Sequence, residues 1–280
     1  STKILKSQKN VENIIWLGTA DSAIAIKDKL KNKKYVLNIL ELYDNNKFYR
    51  KNLAKIVNDA KAIICCEYNR ANIMRSWYHL EKTPYVIPNK PYQNEFNQIQ
   101  VNKEIIDKIK DKKLVLYQGM ISADRDLVNL AEALKEINSD YWLLLMGRDY
   151  NNSVSKIISR YKKTIYLGYI PAPEHLLYTR YAYIGIANYD YSCLNNVFCA
   201  PNKIYEYTGF KIPVLCNDIP GLHYTIGDSK AGVCVNFNSV SEIKNGITKI
   251  EENYEEYSKR AINFYKATDI IECYKKIIKE

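Results

Sequence analysis

The sequence is short of several features that would assign its class quickly. No apolar run approaches the roughly 18 residues a membrane-spanning helix needs, and the opening Ser-Thr-Lys-Ile-Leu-Lys does not read as a signal peptide. The seven cysteines (Cys65, Cys66, Cys193, Cys199, Cys216, Cys234 and Cys273) are odd in number and form no C-x-x-C pair. Several lie in apolar, strand-like runs, where cysteine behaves as a small hydrophobe. The expectation is a reduced, cytoplasmic chain with neither disulfides nor structural zinc. Histidine is scarce: His79, His175 and His223 are the only three, and no two are spaced as a metal pair. No nucleophile-elbow glycine pattern supports a hydrolase. Helix-turn-helix, RNP and zinc-finger patterns are missing, which argues against nucleic acid as a partner. Short-period repeats are absent too.

What is present is ordinary for a soluble globular chain: 47% hydrophobic and 26% charged residues. At 280 residues, two domains are expected. Of the net charge of +10, residues 1–110 carry +9, from 20 Lys+Arg against 11 Asp+Glu. Such a half suits an anionic membrane surface, or forms only a solvated lysine-rich face.

Apolar runs alternate with helical stripes along the whole chain. In the first part, 13–19, 35–40, 62–66 and 85–87 read as strands, with helices at roughly 21–33, 48–60 and 69–80. Prolines 84, 88 and 91 and a polar stretch then punctuate the chain. The alternation restarts with strands at 113–118, 141–146, 165–167, 183–187, 212–216 and 232–235 and helices at 127–137 and 154–161. From 239 onward the tail is helical. This order predicts an α/β protein of two tandem Rossmann-like units with parallel sheets. The expected domains are 1–100, shortened, and 101–265, with 266–280 a helix packing back on the first.

Chemistry gathers in Pro201-Asn-Lys-Ile-Tyr-Glu-Tyr-Thr-Gly-Phe-Lys-Ile-Pro-Val-Leu-Cys216. Pro201 suits a first helical position and Gly209 a left-handed helix end. Asn202, Lys203 and Glu206 then share one face. A lysine in the first turn suits a phosphate, and a carboxylate one turn deeper suits ribose hydroxyls. The same pair fits a surface salt bridge on a short helix equally well. Upstream, Leu114 to Leu127 runs from a strand through Gly119 and a polar loop to Arg125 and a helix, an order that favours phosphate. Met146-Gly147-Arg148 repeats it.

These blocks, with Leu167-Gly-Tyr-Ile-Pro171 and Ile212-Pro-Val214, resemble the C-terminal half of the retaining glycosyltransferases of family four. That family has the two-Rossmann type B (GT-B) fold and uses nucleotide-sugar donors. The resemblance is clearest over about 113–235, and closest to bacterial members that build capsule, exopolysaccharide or lipopolysaccharide. It implies donor contacts by Gly119, Arg125, Gly147, Asn202 and Lys203, with Glu206 on the ribose. Ile170 would lie against the base, usually uracil, and Asn195 and Asn196 against the donor sugar or its phosphate. Arg125 and Lys203 would neutralise the leaving UDP, so that no metal is required. Tyr35 to Asp44 resembles a strand whose end normally carries a histidine and an acid; here Leu40 replaces the histidine and Glu41 keeps the acid. Glu41 is therefore a catalytic candidate beside Arg125 and Lys203.

The chain also departs from the family at Met120, where arginine is usual, and at Phe198, where the first of a glutamate pair often falls. The opening strands of the first domain, with their glycine-rich loop, are not found. The implied function is transfer of a hexose or N-acetylhexosamine from a UDP-sugar to a glycan or lipid-linked acceptor, at the inner face of a membrane. A UDP-sugar epimerase and a non-catalytic nucleotide-sugar-binding partner of another transferase are the alternatives.

Overall fold

A computed structural model describes residues 14–91, 102–137 and 140–279. The chain divides into two compact units. The first takes the described residues up to Pro88, together with Cys193–Phe198 and the chain from Asp269; the second takes the described residues of Asn89–Ser192 and Cys199–Thr268.

In the first unit, strands β1 (Ile15–Leu17), β2 (Tyr35–Asn38), β3 (Ala62–Cys65) and β4 (Tyr85–Val86) form a parallel sheet in sequence order. Side chains alternate across it, as strand geometry requires. Leu37 and Cys65 face Leu53, Ala71 and Met74, whereas Val36 and Ile64 face Ile270 and Ile277 of the terminal Ile270–Lys279 helix. The helix after β1 starts where Thr19 Oγ1 accepts the Ser22 amide at 3.1 Å, a capping box. It ends at Ile26 and tightens to a 3₁₀ turn over Lys27–Lys29, short of the 33 read from the sequence.

The second unit holds β5 (Lys113–Gln118), β6 (Tyr141–Met146), β7 (Thr164–Tyr166), β8 (Ala182–Ala187), β9 (Val214–Asn217) and β10 (Gly232–Val235). All pair in parallel, in the order β10-β9-β8-β5-β6-β7. This is the doubly wound order of a nucleotide-binding Rossmann unit, and the direction of winding reverses between β5 and β8. Helices Asn202–Gly209 and Tyr254–Lys266 cover one face around Leu114, Leu116 and Val214. Val128–Ile137 and Val240–Glu252 cover the other around Val115, Tyr117 and Leu215. Among the described residues no helix is long and apolar enough to cross a membrane.

Candidate functional site

In a doubly wound sheet the loops beyond the carboxyl ends of the two strands at the reversal leave a crevice for ligand. Here those loops begin at Gly119 after β5 and at Asn188 after β8. Gly119 has φ +121° and Gly147, at the end of β6, φ +149°, both in the region that favours glycine. They depend on each other. A Cβ on Gly147 would fall 1.7 Å from the Gly119 carbonyl oxygen, and the Gly119 amide donates to the Met146 carbonyl at 2.9 Å. Gly147 thus shapes the loop that Gly119 forms. Arg148, the cation after it, stacks over the Tyr169 ring at 4.7 Å.

The Asn202–Gly209 helix is set into the sheet by Tyr207. Its ring covers Gly185, where a Cβ would come within 2.3 Å of ring carbons, and its hydroxyl accepts the Gln118 amide at 3.2 Å. One turn earlier, that anchor brings Lys203 to Gly119; Nζ would lie 3.1 Å from a Cβ there. Pro201 is the N-cap in extended conformation rather than the first helical residue, and no side chain caps the first turn. Gly209 remains within the helix. The left-handed residue is Lys211 at φ +64°, and Gly209 is small because Tyr265 ring atoms lie 3.1–3.5 Å from where its Cβ would be. The strand that follows starts at Val214.

Lys203 and Glu206 are both buried, and the alternative of a surface salt bridge fails. Lys203 Nζ has no hydrogen-bond partner. It rests over the Tyr117 ring at 4.1 Å and the Tyr189 ring at 5.3 Å, with the Arg125 guanidinium 4.7 Å from the Tyr189 ring. Burial, and then the neighbouring Arg125 charge, pull the Lys203 ammonium down from 10.5 to about 7. Glu206 is held elsewhere. Gln118 Nε2 donates to its Oε2, His175 Nε2 lies 3.3 Å from its Oε1, and Thr179 Oγ1 donates to Gln118 Oε1 at 2.7 Å. A carboxylate has about four acceptor positions, so Glu206 retains capacity for further hydroxyl donors. Beside it a cavity of about 270 Å³ is lined by Lys90, Pro173, His175, Asn202 and Glu206, among others.

The second unit thus gathers Gly119, Arg125, Gly147, Ile170, Asn202, Lys203 and Glu206. Ile170 is half-buried on the loop after β7, just before the cavity-lining Ala172 and Pro173. Glu41, Asn195 and Asn196 belong to the first unit. There Asn195 Oδ1 accepts the Leu42 amide at 2.9 Å, and Asp44 accepts the Leu194 and Asn195 amides at 2.7 and 3.3 Å. Glu41 Oε2 lies 3.5 Å from the Arg70 guanidinium. Nothing in the sequence distinguishes Gln118, Tyr117 or Tyr189, and His175 stands out there only as one of three isolated histidines. They reach Glu206 and Lys203 only through the fold, and no spacing rule spans that separation.

Fold and site together define an α/β protein with the GT-B architecture of glycosyltransferases. The sequence profile of glycosyl transferases group 1 matches residues 98–267, more than half of the chain, and the chain belongs to that family. Solved structures agree on the fold. Sucrose-phosphate synthase from Thermosynechococcus elongatus superposes with a TM-score of 0.68 at 16% identity, over 95% of this chain and 70% of that one. Anabaena HepE in complex with UDP gives 0.70 at 14%, over 99% and 80%. A glycosyltransferase from Rickettsia africae gives 0.69 at 17%, over 99% and 79%. A sequence comparison with curated proteins gives no significant match.

Proposed function

We propose that the second unit binds a UDP-sugar, and that the chain transfers its hexose or N-acetylhexosamine, with retention at the anomeric carbon, to a glycan or lipid-linked acceptor in cell-surface polysaccharide synthesis. One observation carries the donor assignment: a buried lysine whose Nζ lacks any hydrogen-bond partner, beside Gly119 and Arg125, one turn from a buried carboxylate. A buried cation left without an anion is costly, and a diphosphate would supply the missing charge. Lys203 would lift from the tyrosine rings to a phosphate oxygen, with Arg125 as second ligand and the uncapped first turn donating its amides. Glu206 would accept ribose hydroxyls, Asn202 would line the approach, and the Ile170 backbone would meet the base. The HepE structures, in complex with UDP and with UDP-glucose, support a donor of this class.

In the reaction the two cations would stabilise charge developing on the leaving UDP, a role that needs no metal ion. Asn195 and Asn196 would serve the donor sugar, and Glu41 the acceptor side. We place the protein in the cytoplasm, in peripheral contact with the membrane that carries its acceptor; the basic first 110 residues support that placement. A second reading, a nucleotide-sugar-binding partner without turnover, is favoured by Leu40 at the histidine position and by Glu41 lying against Arg70.

Calorimetric titration with UDP tests the site. Lys203→Ala and Glu206→Ala should each weaken binding about tenfold or more, roughly 1.4 kcal/mol, in a folded protein. Unchanged affinity in both variants removes the assignment. UDP binding with neither transfer nor hydrolysis across an acceptor panel would select the second reading.

A further inference from the structure

The sequence predicts no metal site, because its histidines are isolated. The fold nevertheless assembles a ligand set around one of them. β9 and β10 run parallel with Cys216 opposite Cys234, and their sulfurs lie 3.4 Å apart. The chain leaves β9 through Asp218, turns at Pro220, and enters a short π-helical turn that begins at His223. That turn brings His223 back over the strand ends, with Nδ1 2.8 Å from Asp218 Oδ1. An Asp218 carboxylate oxygen, a His223 ring nitrogen and the Cys234 sulfur all lie within 4.8 Å of one another.

Two further details set this apart from an exposed ion pair. Gly227 faces the gap: a Cβ there would sit 3.2 Å from Cys234 Sγ and 3.7 Å from His223 Nδ1, so the glycine keeps the space between imidazole and thiol clear. On the far side of the ring, His223 Nε2 lies 3.9 Å from Asp228 Oδ1, a charge pair longer than a hydrogen bond. A ligating histidine commonly directs its other ring N–H to a carboxylate, which fixes the tautomer and raises its basicity as a ligand. The donor set is one carboxylate oxygen, one imidazole nitrogen and one sulfur. It excludes Mg²⁺ and Ca²⁺, which take oxygen, and suits a borderline divalent ion such as Zn²⁺.

We propose that Asp218, His223 and Cys234 form a binding site for a Zn²⁺-class divalent cation, with Asp228 orienting His223 and Cys216 supporting the Cys234 sulfur from behind. Bonds of about 2.0–2.3 Å place the ligand atoms of one ion within about 4.6 Å of one another, close to the 4.8 Å within which these three already lie. The fourth position of a tetrahedron is left to water. The site takes no part in the donor chemistry proposed above. Its consequence is mechanical: the Asp218 carbonyl accepts the Tyr191 hydroxyl at 2.6 Å, so an ion on Asp218 steadies the loop after β8.

Cobalt provides a visible probe of the untagged, chelator-treated full chain. One equivalent of Co²⁺ should give a thiolate-to-cobalt charge-transfer band that one equivalent of Zn²⁺ displaces. Cys234→Ser should abolish the band and His223→Ala should weaken Co²⁺ binding more than about tenfold. Asp228→Asn should weaken it by about tenfold while the band remains. Cys273→Ser, far from these ligands in sequence, should behave as wild type. His223 is exposed, so its variant remains informative if Cys234→Ser fails to fold. Absence of the band in the wild type, or a band that survives His223→Ala at unchanged affinity, overturns the site. In the metal-free state UDP titration of the same variants should be unaltered, which keeps this result separate from the donor assignment.

Discussion

Among the described residues each unit has one cation that is almost fully buried, and the two are treated in opposite ways. In the first, Arg70 is buried on the Tyr68–Tyr78 helix and is saturated. Nε donates to the Phe198 carbonyl at 2.7 Å, one terminal nitrogen to the Asn195 carbonyl at 2.6 Å, and the other to the Leu40 carbonyl. In the second, Lys203 is as deeply buried and has only ring faces. A planar fork that fixes three carbonyls holds backbone together, whereas a lone ammonium on a flexible stem is free to meet a ligand. Burial of a charge therefore does not by itself mark a site. The inventory of its partners does.

The sharpest way to break this contrast is at Arg70. Arg70→Met preserves apolar bulk but strips donors from the carbonyls of Leu40, Asn195 and Phe198, joining segments more than 120 residues apart. Each buried acceptor left unpaired costs about 1–3 kcal/mol, so we expect a loss of about 3–5 kcal/mol in urea unfolding of the first unit. A loss below about 1 kcal/mol would mean that Arg70 does not fasten these segments.

The same contrast explains what could be read from sequence. The apolar runs of β5 and β6 are buried on both faces, and their ends match the runs themselves. The helix read over 48–60 rests on the stripe Leu53, Ile56, Val57 and Ala60, which is a weaker guide. The first three are buried and Ala60 is half-buried, but the helix stops at Leu53 and turns deliver the others, because burial spacing alone does not require continuous helix. Lys203 and Glu206 were legible since one helix carries both. Their surroundings were not: Gln118 and His175 reach Glu206 across the sheet, and the Cys193–Phe198 segment joins the first unit with no local pattern that announces it. Gly209 shows the remaining ambiguity. Glycine next to a helix end suits a left-handed turn or a close aromatic, and only packing distinguishes them.

At Lys203 the expected signs are opposite for binding and for stability. Lys203→Met removes a buried charge while retaining its stem, so the ligand-free protein should gain on the order of 1 kcal/mol, seen as a rise in Tm of about 2–4 °C. UDP affinity should fall by about 10–100-fold, the loss of a charged hydrogen bond worth roughly 1.5–3 kcal/mol. Differential scanning calorimetry with and without UDP reads both. A variant that loses stability and keeps UDP would make Lys203 another Arg70.

The smallest effect is a proton. Lys203 ionises at about 7 in the ligand-free fold, against an ordinary 10.5, because burial and then Arg125 disfavour its charge. From about 7 to 10.5 the unfolded chain holds this proton and the folded chain does not, so the contribution of Lys203 to stability rises with pH through that window. Below about 7 the charged form is present in both states and the full penalty applies. A bound diphosphate reverses the preference by pairing the ammonium, and its complex should retain the proton well above 7. UDP binding at about pH 8 should therefore take up a proton, and affinity should decline as pH rises from about 7 to 9. Titration in two buffers of different ionisation enthalpy measures the uptake. The uptake should vanish in Lys203→Met; an equal uptake in that variant would place the titrating group elsewhere, and no uptake in the wild type would mean that the phosphate does not meet Lys203.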